Sequence, residues 1–292
     1  MSRIAILGVG AIGSIYGARL YELGKHEVVL CVRKTFKKFK IETPSRVIET
    51  PVHCVTLPET VSSVDWIILA VKCHQVESVE PWFKNLVGPK TIVAVLQNGV
   101  EHLENTEPFV CGAEILPVIV QCPADRLSPG HVVQNAMSRL VVPDNESGQV
   151  LSSLYEGSDI DVELTSDFTT AMWKKLCGNI ARNPATALTN RGRGVVKDSE
   201  VSKVCQTLVG ECAEVGRAEG AILSDDFLEN VVSNQSGIEE NATTSMLVDV
   251  RAGLPLESEG MTGAVIRAGV KHGIPTPTTC VIHSLLSAIN RE

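Results

Sequence analysis

The chain has 292 residues, of which 44% are hydrophobic and 21% are charged, a composition typical of a globular protein of about two domains. The formal net charge of −8 indicates no broad basic surface, so we expect no nucleic-acid partner. No apolar run approaches the ~18 residues that span a bilayer, so we expect no membrane partner either.

Cysteine and histidine usage bears on location and metal content. The nine cysteines are scattered without a C-x-x-C spacing, which favours a reducing cytosol and mostly buried thiols. The first strand pattern begins almost at once, which leaves no room for a signal peptide. The seven histidines are dispersed and form no metal-binding motif. We therefore expect a cytoplasmic protein without a bound metal.

The first elements along the chain are a strand over residues 4–7, a helix over 11–23 and a second strand over 27–32. The turn between the first strand and the helix has the sequence Gly8-Val9-Gly10-Ala11-Ile12-Gly13. This G-x-G-x-x-G spacing, in a strand–turn–helix–strand frame, is typical of dinucleotide binding. Gly8 permits the tight turn, Gly10 lets a pyrophosphate approach the backbone, and Gly13 lets helix and strand pack closely. The alternative is a glycine-rich turn that binds no ligand.

The end of the second strand indicates which dinucleotide is bound. An NAD site usually has an acidic residue about 20 residues after the glycine turn, on the ribose hydroxyls. This chain has Arg33 and Lys34 there instead, and a guanidinium can pair with a 2′-phosphate. The pattern favours NADP(H), with Arg33 as a binding residue. The alternative is a basic surface loop, since Lys37, Lys38 and Lys40 follow.

The pattern up to residue 165 continues to alternate short apolar strands with helices. We predict strands over 64–71, 91–96, 114–121, 132–142 and 160–164, helices over 76–86 and 148–156, and a turn at 128–130. Such alternation predicts a parallel, doubly wound α/β sheet. Residues 1–165 are therefore predicted to form a Rossmann-type NADP-binding domain.

From residue 166 onward the strand pattern disappears, and long amphipathic stretches predict an all-helical second domain over 166–292. The predicted helices cover 167–183, 201–219, 242–252, 260–272 and 279–290. Pro184 is expected to end or kink the first of them.

Three polar residues in that first helix are candidates for chemistry. Lys175, Asn179 and Asn183 are spaced i, i+4, i+8 and would form one stripe on a single helix face. A lysine near apolar walls can act as a proton donor, and the amides could bind substrate oxygens. The alternative is a solvated helix face.

Smaller signals lie in the sheet domain. Lys72 and Gln75 follow one predicted strand, at the end where open α/β sheets make ligand contacts. Asn98 follows the next strand in Gln97-Asn98-Gly99, although Asn-Gly is also an ordinary turn pair.

Together these segments resemble the ketopantoate reductase (2-dehydropantoate 2-reductase) family over nearly the whole chain. The matching segments are GVGAIG at 8–13, VKCHQ at 71–75, QNG at 97–99, W-K-K-x3-N-x3-N at 173–183, T-S-M-L-x-D-x-R-A at 244–252, E-x5-G at 257–263 and HGIPTP at 272–277. The resemblance implies a Rossmann domain followed by a helical domain similar to that of 6-phosphogluconate dehydrogenases. It also implies reduction of a 2-keto acid to a 2-hydroxy acid with NADPH.

The resemblance assigns roles residue by residue. Lys175 matches the catalytic general acid, and Glu257 matches an acidic residue that holds a substrate hydroxyl and orients the site. Substrate-binding positions are matched by Asn179, Asn183 and Ser245, and Asn98 matches a residue that touches cofactor and substrate. Arg33, Lys72 and Gln75 match positions around the adenosine phosphate and ribose.

Several departures from the family pattern leave the keto acid open. Ala242 stands where the family often has Asn, Arg193-Gly194 replaces an Asn-Gly pair, and the link 253–256 is more apolar than expected. One alternative is therefore a D-2-hydroxyacid dehydrogenase for another branched or aromatic 2-keto acid. Another is a catalytically silent NADP(H)-binding sensor, which would not need both Lys175 and Glu257. The oligomeric state also stays open, with a homodimer as one option.

Overall fold

The computed structural model describes residues 1–233 and 239–290. Its backbone contacts divide the chain into two compact units. The sheet unit comprises Met1–Gln97 and His102–Phe168, and the helical unit comprises Asn98–Glu101 and Thr169–Glu292. The short segment Asn98–Glu101 therefore groups with the helical unit, although the chain on both sides of it belongs to the sheet unit.

The sheet unit alternates strands and helices. In chain order its strands are β1 (Arg3–Leu7), β2 (Glu27–Cys31), β3 (Lys38–Glu42), β4 (Val47–Pro51), β5 (Cys54–Val55), β6 (Trp66–Leu69), β7 (Ile92–Val95), β8 (Glu114–Pro117), β9 (Ile119–Gln121), β10 (Ala124–Ser128), β11 (His131–Gln134), β12 (Arg139–Pro143) and β13 (Asp161–Thr165). Its α-helices are α1 (Ala11–Leu23), α2 (Glu80–Leu86), α3 (His102–Thr106) and α4 (Glu146–Leu154).

The main sheet is parallel and has the strand order β5-β2-β1-β6-β7-β8. The chain runs outward from β1 in one direction and from β6 in the other, so the order reverses between these two strands. Alternate strand residues enter two apolar layers: Ile4 and Ile6 pack on one face, and Ala5 and Leu7 on the other. Burial on both faces is typical of a doubly wound sheet and confirms the predicted fold class. Ligands of such sheets bind at the reversal, beyond the carboxyl ends of the strands.

Two smaller sheets complete this unit and were not predicted. One has the order β10-β11-β3-β4 and contains antiparallel pairs, and the other has the order β13-β12-β9. The strand predicted over 132–142 was wrong in its continuity, because β11 and β12 are separate strands that belong to different sheets. The helix predicted from residue 76 starts only at Glu80, after a 3₁₀ turn over Glu77–Val79.

The helical unit has no strand among its described residues, in agreement with the predicted all-helical character. Its helices are α5 (Phe168–Ile180), α6 (Asn183–Thr189), α7 (Ser199–Ala218), α8 (Asp225–Ser233), α9 (Ser245–Arg251), α10 (Ala264–His272) and α11 (Pro277–Ile289). A 3₁₀ turn covers Arg193–Lys197, and a π-helical turn over Glu259–Gly263 leads into α10. Trp173, Leu176, Leu208 and Val265 belong to one buried apolar cluster that joins these helices. No helix in the described ranges combines the length and apolarity needed to cross a membrane.

Pro184 breaks the predicted helix over 167–183 into α5 and α6. A proline lacks the N–H that would bond to the carbonyl of Ile180, and its ring clashes with that carbonyl. Accordingly α5 ends at Ile180, and Pro184 lies in the first turn of α6. The prediction of a single helix carrying Lys175, Asn179 and Asn183 was therefore wrong: only the first two share α5.

Candidate functional site

The glycine turn after β1 is shaped by close backbone contacts. Gly8 has φ +93°, the left-handed region that favours glycine, and a Cβ on it would overlap the backbone of Val71 at the end of β6. A Cβ on Gly13 would overlap the carbonyl oxygen of Gly8. The turn therefore lies at the β1/β6 reversal and requires glycine at both positions.

Gly10 differs from its two neighbours in the motif. A Cβ built on Gly10 would meet no atom within 4 Å, so the space above this residue is open. Gly10 is the N-cap of α1, no side chain caps this end, and the first turn of α1 carries no acidic residue. Val9, Ala11 and Ile12 complete the turn. An open backbone at the uncapped N-terminus of a 13-residue helix has the geometry and dipole that a pyrophosphate requires, so these residues fit a dinucleotide.

The residues after β2 supply positive charge. Arg33 and Lys34 are exposed, directly beyond the carboxyl end of a strand that neighbours β1. Lys38 and Lys40, by contrast, are paired with Glu49 at 2.6 Å and Glu42 at 2.8 Å. Across residues 1–233 and 239–290, no ion pair engages Arg33 or Lys34, which leaves their charges available to an anionic ligand.

Lys72 and Gln75 lie in the turn after β6. The Gln75 N–H donates to the Lys72 carbonyl at 2.8 Å, and the Lys72 N–H donates to Gln75 Oε1 at 3.4 Å. Gln97, at the end of β7, donates from Nε2 to the Val71 carbonyl at 3.0 Å. These bonds fix the backbone that follows the carboxyl end of β6, where Val71 lies against Gly8.

In the helical unit, Lys175 and Asn179 lie one turn apart on α5 and are both half-buried. Desolvation lowers the pKa of the Lys175 ammonium from its usual 10.5 to about 8, and attraction by the Glu257 carboxylate opposes part of that shift. Within the described ranges, no hydrogen bond or ion pair at contact distance engages the Lys175 amine. A desolvated lysine with these properties can protonate a bound oxygen near neutral pH.

Glu257 and Asn98 are distant in sequence but in contact in the structure. Asn98 Nδ2 donates to Glu257 Oε2 at 3.2 Å, and Glu257 is only 4% exposed. A buried carboxylate with an amide partner and a lysine nearby can hold a hydroxyl group through its remaining lone pairs. Lys175, Glu257 and Asn98, predicted separately from three motifs, are thus brought together electrostatically or by contact within the helical unit.

The other two predicted substrate residues differ in accessibility. Asn183 starts α6, is 5% exposed, and its Nδ2 lies 3.5 Å from Met261 Sδ, a weak acceptor. Ser245 is exposed at the start of α9, whose cap is Thr244. The structure shows no hydrogen bond between either of them and Lys175 or Glu257 in the described ranges.

Sequence reasoning missed the residues that hold Glu257 in place. Asn290 Oδ1 accepts from the Leu256 N–H at 2.7 Å, and Asn290 Nδ2 donates to the Leu256 carbonyl at 3.3 Å and to Ser258 Oγ at 3.5 Å. The π-helical turn that follows is closed by the Gly263 N–H, which donates to the Ser258 carbonyl at 2.9 Å. The E-x5-G spacing contained a signal for this turn, since a Cβ on Gly263 would crowd Glu259 Oε2 at 2.8 Å.

Two departures from the family pattern meet in space. The Arg193 N–H donates to the Ala242 carbonyl at 2.8 Å, and the Gly194 N–H donates to the Glu240 carbonyl at 3.0 Å. The two altered positions therefore form one local structure, close in sequence to Ser245.

Comparison with known proteins identifies the family. The model described as "Ketopantoate reductase PanE/ApbA" matches residues 4–147, and "Ketopantoate reductase PanE/ApbA C terminal" matches residues 167–290. A 2-dehydropantoate 2-reductase of Caulobacter vibrioides is 34% identical over 288 residues, which cover 99% of each chain.

Solved structures share the fold over the whole chain. A dimeric ketopantoate reductase from Staphylococcus aureus is 26% identical with a TM-score of 0.88 and covers 99% of both chains. A D-mandelate dehydrogenase, solved as a ternary complex with NADH and anilino(oxo)acetate, has a TM-score of 0.88 at 23% identity and covers 99% of this chain and 98% of its own. At that identity the second comparison supports the fold alone. The two family models and the full-length relative show that this chain belongs to the ketopantoate reductase family.

Proposed function

We propose that this protein reduces 2-dehydropantoate (ketopantoate) to pantoate with NADPH. The observation that carries the proposal is the Lys175 ammonium, desolvated to a pKa of about 8 and attracted by the buried Glu257 carboxylate, in a chain of this family. A non-catalytic NADP(H) sensor would have no use for this pair.

The chemistry follows from where charge develops. When bound, the reduced nicotinamide supplies a hydride to the carbonyl carbon, and negative charge then builds on the former carbonyl oxygen. The Lys175 ammonium stabilises that charge and gives the oxygen its proton. Such general acid assistance is typically worth roughly 10²–10⁴ in rate.

Glu257 and Asn98 give selectivity for a hydroxylated substrate. Ketopantoate carries a terminal hydroxyl, and the Glu257 carboxylate accepts it while Asn98 holds that carboxylate in place. An analogue without the hydroxyl cannot donate this hydrogen bond to the buried carboxylate and is bound less tightly for that reason. Asn179, Asn183 and Ser245 are the proposed contacts to the remaining substrate oxygens.

NADPH is the proposed cofactor. The six residues of the glycine turn bind the pyrophosphate, Arg33 pairs with the 2′-phosphate, and Lys72, Gln75 and Asn98 complete the cofactor contacts. The available charge of Arg33, against the ion-paired Lys38 and Lys40, supports its role.

A second candidate is a D-2-hydroxyacid dehydrogenase for a 2-keto acid with an apolar tail. The observation that favours it is the link before Glu257, where Leu254 is 53% exposed and is followed by Pro255. An exposed leucine there would suit a hydrophobic substituent better than a hydroxyl group.

A kinetic panel distinguishes the two candidates. NADPH oxidation is followed at 340 nm with ketopantoate, 2-ketoisovalerate and phenylglyoxylate as substrates, and the Glu257→Gln variant is measured beside the wild type. We expect the highest kcat/KM with ketopantoate, and a loss of the preference over 2-ketoisovalerate in Glu257→Gln. A higher kcat/KM with phenylglyoxylate or 2-ketoisovalerate would replace the proposal with the second candidate. Absence of turnover with all three keto acids would favour the remaining alternative, a non-catalytic NADP(H)-binding sensor.

We further propose that the protein forms a homodimer, in analogy with the dimeric reductase of Staphylococcus aureus. Size-exclusion chromatography with light scattering gives the mass directly. A mass near 31 kDa, that of one chain, would refute the dimer.

A further inference from the structure

The segment Asn98–Glu101 carries Asn98 at one end and is anchored to the helical unit along its length. Gly99 has φ +108°, and a Cβ on it would overlap the Gly260 carbonyl oxygen. Val100 packs against the apolar core of the helical unit. Glu101, the last residue of the segment, forms an ion pair with Arg267 of α10.

Arg267 is the centre of this anchor. Its Nε and Nη2 donate to the two carboxylate oxygens of Glu101 at 2.8 and 2.7 Å, a bidentate arrangement. Its Nη1 donates to Glu259 Oε2 at 3.0 Å, and its Nη2 also donates to the Glu259 carbonyl at 2.7 Å. These bonds raise the pKa of Arg267 above its ordinary value, first through the Glu101 hydrogen bond.

The two partners of Arg267 are close in sequence to the two residues that meet in the candidate site. Glu101 lies three residues after Asn98, and Glu259 lies two residues after Glu257. One guanidinium therefore cross-links the two segments whose side chains meet at 3.2 Å in the candidate site. Exposed ion pairs usually add little stability, and the Arg267 side chain is 49% exposed. We expect its effect on geometry, because a planar guanidinium bonded to four acceptor oxygens of Glu101 and Glu259 fixes the relative position of these two residues.

We propose that Arg267 is a positioning residue that holds Asn98 against Glu257 and thereby sets the recognition of the substrate hydroxyl. This inference rests on the proposed function, and it predicts a selective defect. Asn290 holds Glu257 independently, so loss of Arg267 displaces Asn98 and leaves Glu257 and Lys175 in place. Binding of the hydroxyl weakens, while proton delivery by Lys175 continues.

The test compares Arg267→Met, Arg267→Lys, Glu101→Gln and the Arg267→Met/Glu101→Gln double variant with the wild type. Arg217→Met is the matched control, since Arg217 is similarly exposed at 44%, pairs with Asp225 at 2.6 Å and also donates to a backbone carbonyl. The readouts are kcat and KM for ketopantoate and 2-ketoisovalerate, and amide hydrogen exchange of peptides that cover residues 98–101.

For Arg267→Met and Glu101→Gln we expect KM for ketopantoate to rise about tenfold, kcat to stay within about threefold, and KM for 2-ketoisovalerate to change little. The double variant should have the same KM for ketopantoate as Arg267→Met alone, because both substitutions remove the same Arg267–Glu101 ion pair. Arg267→Lys should be intermediate, and exchange at 98–101 should accelerate in every variant except Arg217→Met.

Three results would overturn the inference: unchanged KM and exchange in Arg267→Met and Glu101→Gln, equal losses for both keto acids, or the same loss in Arg217→Met. If Arg267→Met does not fold, Arg267→Lys and the nearly isosteric Glu101→Gln carry the same comparison. If the wild type does not turn over ketopantoate, the proposed function fails, and the exchange measurement still decides whether Arg267 anchors the segment.

Discussion

The lowered pKa of Lys175 makes a direct prediction about the pH dependence of reduction. With a pKa of about 8, about nine-tenths of this lysine is protonated at pH 7 and only about a tenth at pH 9. A general acid acts in its protonated form, so kcat/KM should be constant below pH 7, fall to half near pH 8, and then drop about tenfold per unit. An ordinary lysine of pKa 10.5 would instead give a plateau to about pH 10.

The Glu257 carboxylate provides a second test, because the direction of its effect on the pKa of Lys175 is known. Its attraction favours the ammonium and raises the pKa of Lys175 against the larger effect of desolvation. Glu257→Gln removes this attraction, so the alkaline limb should move to lower pH. The substrate carboxylate does not titrate in this range and cannot produce the limb.

The assay is the initial rate of NADPH oxidation from pH 6 to 10 with saturating NADPH and limiting keto acid, so that kcat/KM reports the enzyme free of keto acid. Lys174→Met is the matched control: the neighbouring lysine is exposed and lies over the Phe227 ring at 5.6 Å from its centroid. The Lys174→Met variant should keep the wild-type rate and the fall in kcat/KM at alkaline pH, whereas Lys175→Met should lose at least a hundredfold in rate. A flat profile to pH 10, or a limb that moves upward in Glu257→Gln, would refute the assignment of Lys175 as the acid.

Three further predictions concern the cofactor and stability. The wild type should use NADPH well over tenfold better than NADH, and Arg33→Ala should narrow that ratio by about tenfold, since a charge-assisted bond contributes about 1.5–3 kcal/mol. The ion-paired Lys40 is the control, and Lys40→Met should leave the ratio of the two kcat/KM values unchanged. Gly13→Ala should lower the free energy of unfolding by about 1–3 kcal/mol through overpacking. Gly10→Ala should lower it by about 1 kcal/mol or less and should mainly weaken NADPH binding, which calorimetry measures. An equal loss of unfolding free energy in the two variants would contradict the geometry of the turn. Because the Lys175 pKa is lowered in the folded state, its charge disfavours folding below pH 8, and Lys175→Met should stabilise the protein at pH 7 by about 1–3 kcal/mol in urea unfolding. This gain should shrink as the pH rises from 8 to 10.5, and a destabilised Lys175→Met would contradict the desolvation argument.

Five of the six strands of the parallel sheet were predictable, because each is a short apolar run next to a helix or a glycine turn, whereas the two-residue β5 was not predicted. The sheet that contains β3 was not predictable in the same way. No strand is predicted over β3, whose sequence is KFKIE, and its lysines enter only the alternative of a basic surface loop. In the structure, Phe39 and Ile41 are fully buried and alternate with the ion-paired Lys38 and Lys40. The alternation is a strand signal, but five residues with two lysines on the solvent side give it weakly.

The candidate site was predicted as a set of residue types, and its assembly depends on contacts that sequence spacing does not contain. The i, i+4 rule placed Lys175 and Asn179 on one face of α5, and it failed for Asn183 because Pro184 starts a new helix. The Asn98–Glu257 contact joins residues 159 positions apart, and the Arg267 fork joins residues 166 positions apart. No periodicity connects such pairs, so only the folded chain reveals them.

The support that Asn290 gives to Glu257 makes the end of the final helix unusual. The last turns of a domain generally tolerate truncation, extension and purification tags, because few contacts depend on them. Here Asn290 is the C-cap residue of α11 and bonds to residues on both sides of a proposed substrate-binding carboxylate. Shortening the chain to Ile289, or fusing a bulky sequence just after Asn290, would loosen Glu257 without touching any residue of the site. A change at the end of α11 is therefore expected to act on substrate recognition through the backbone of Leu256 and Ser258.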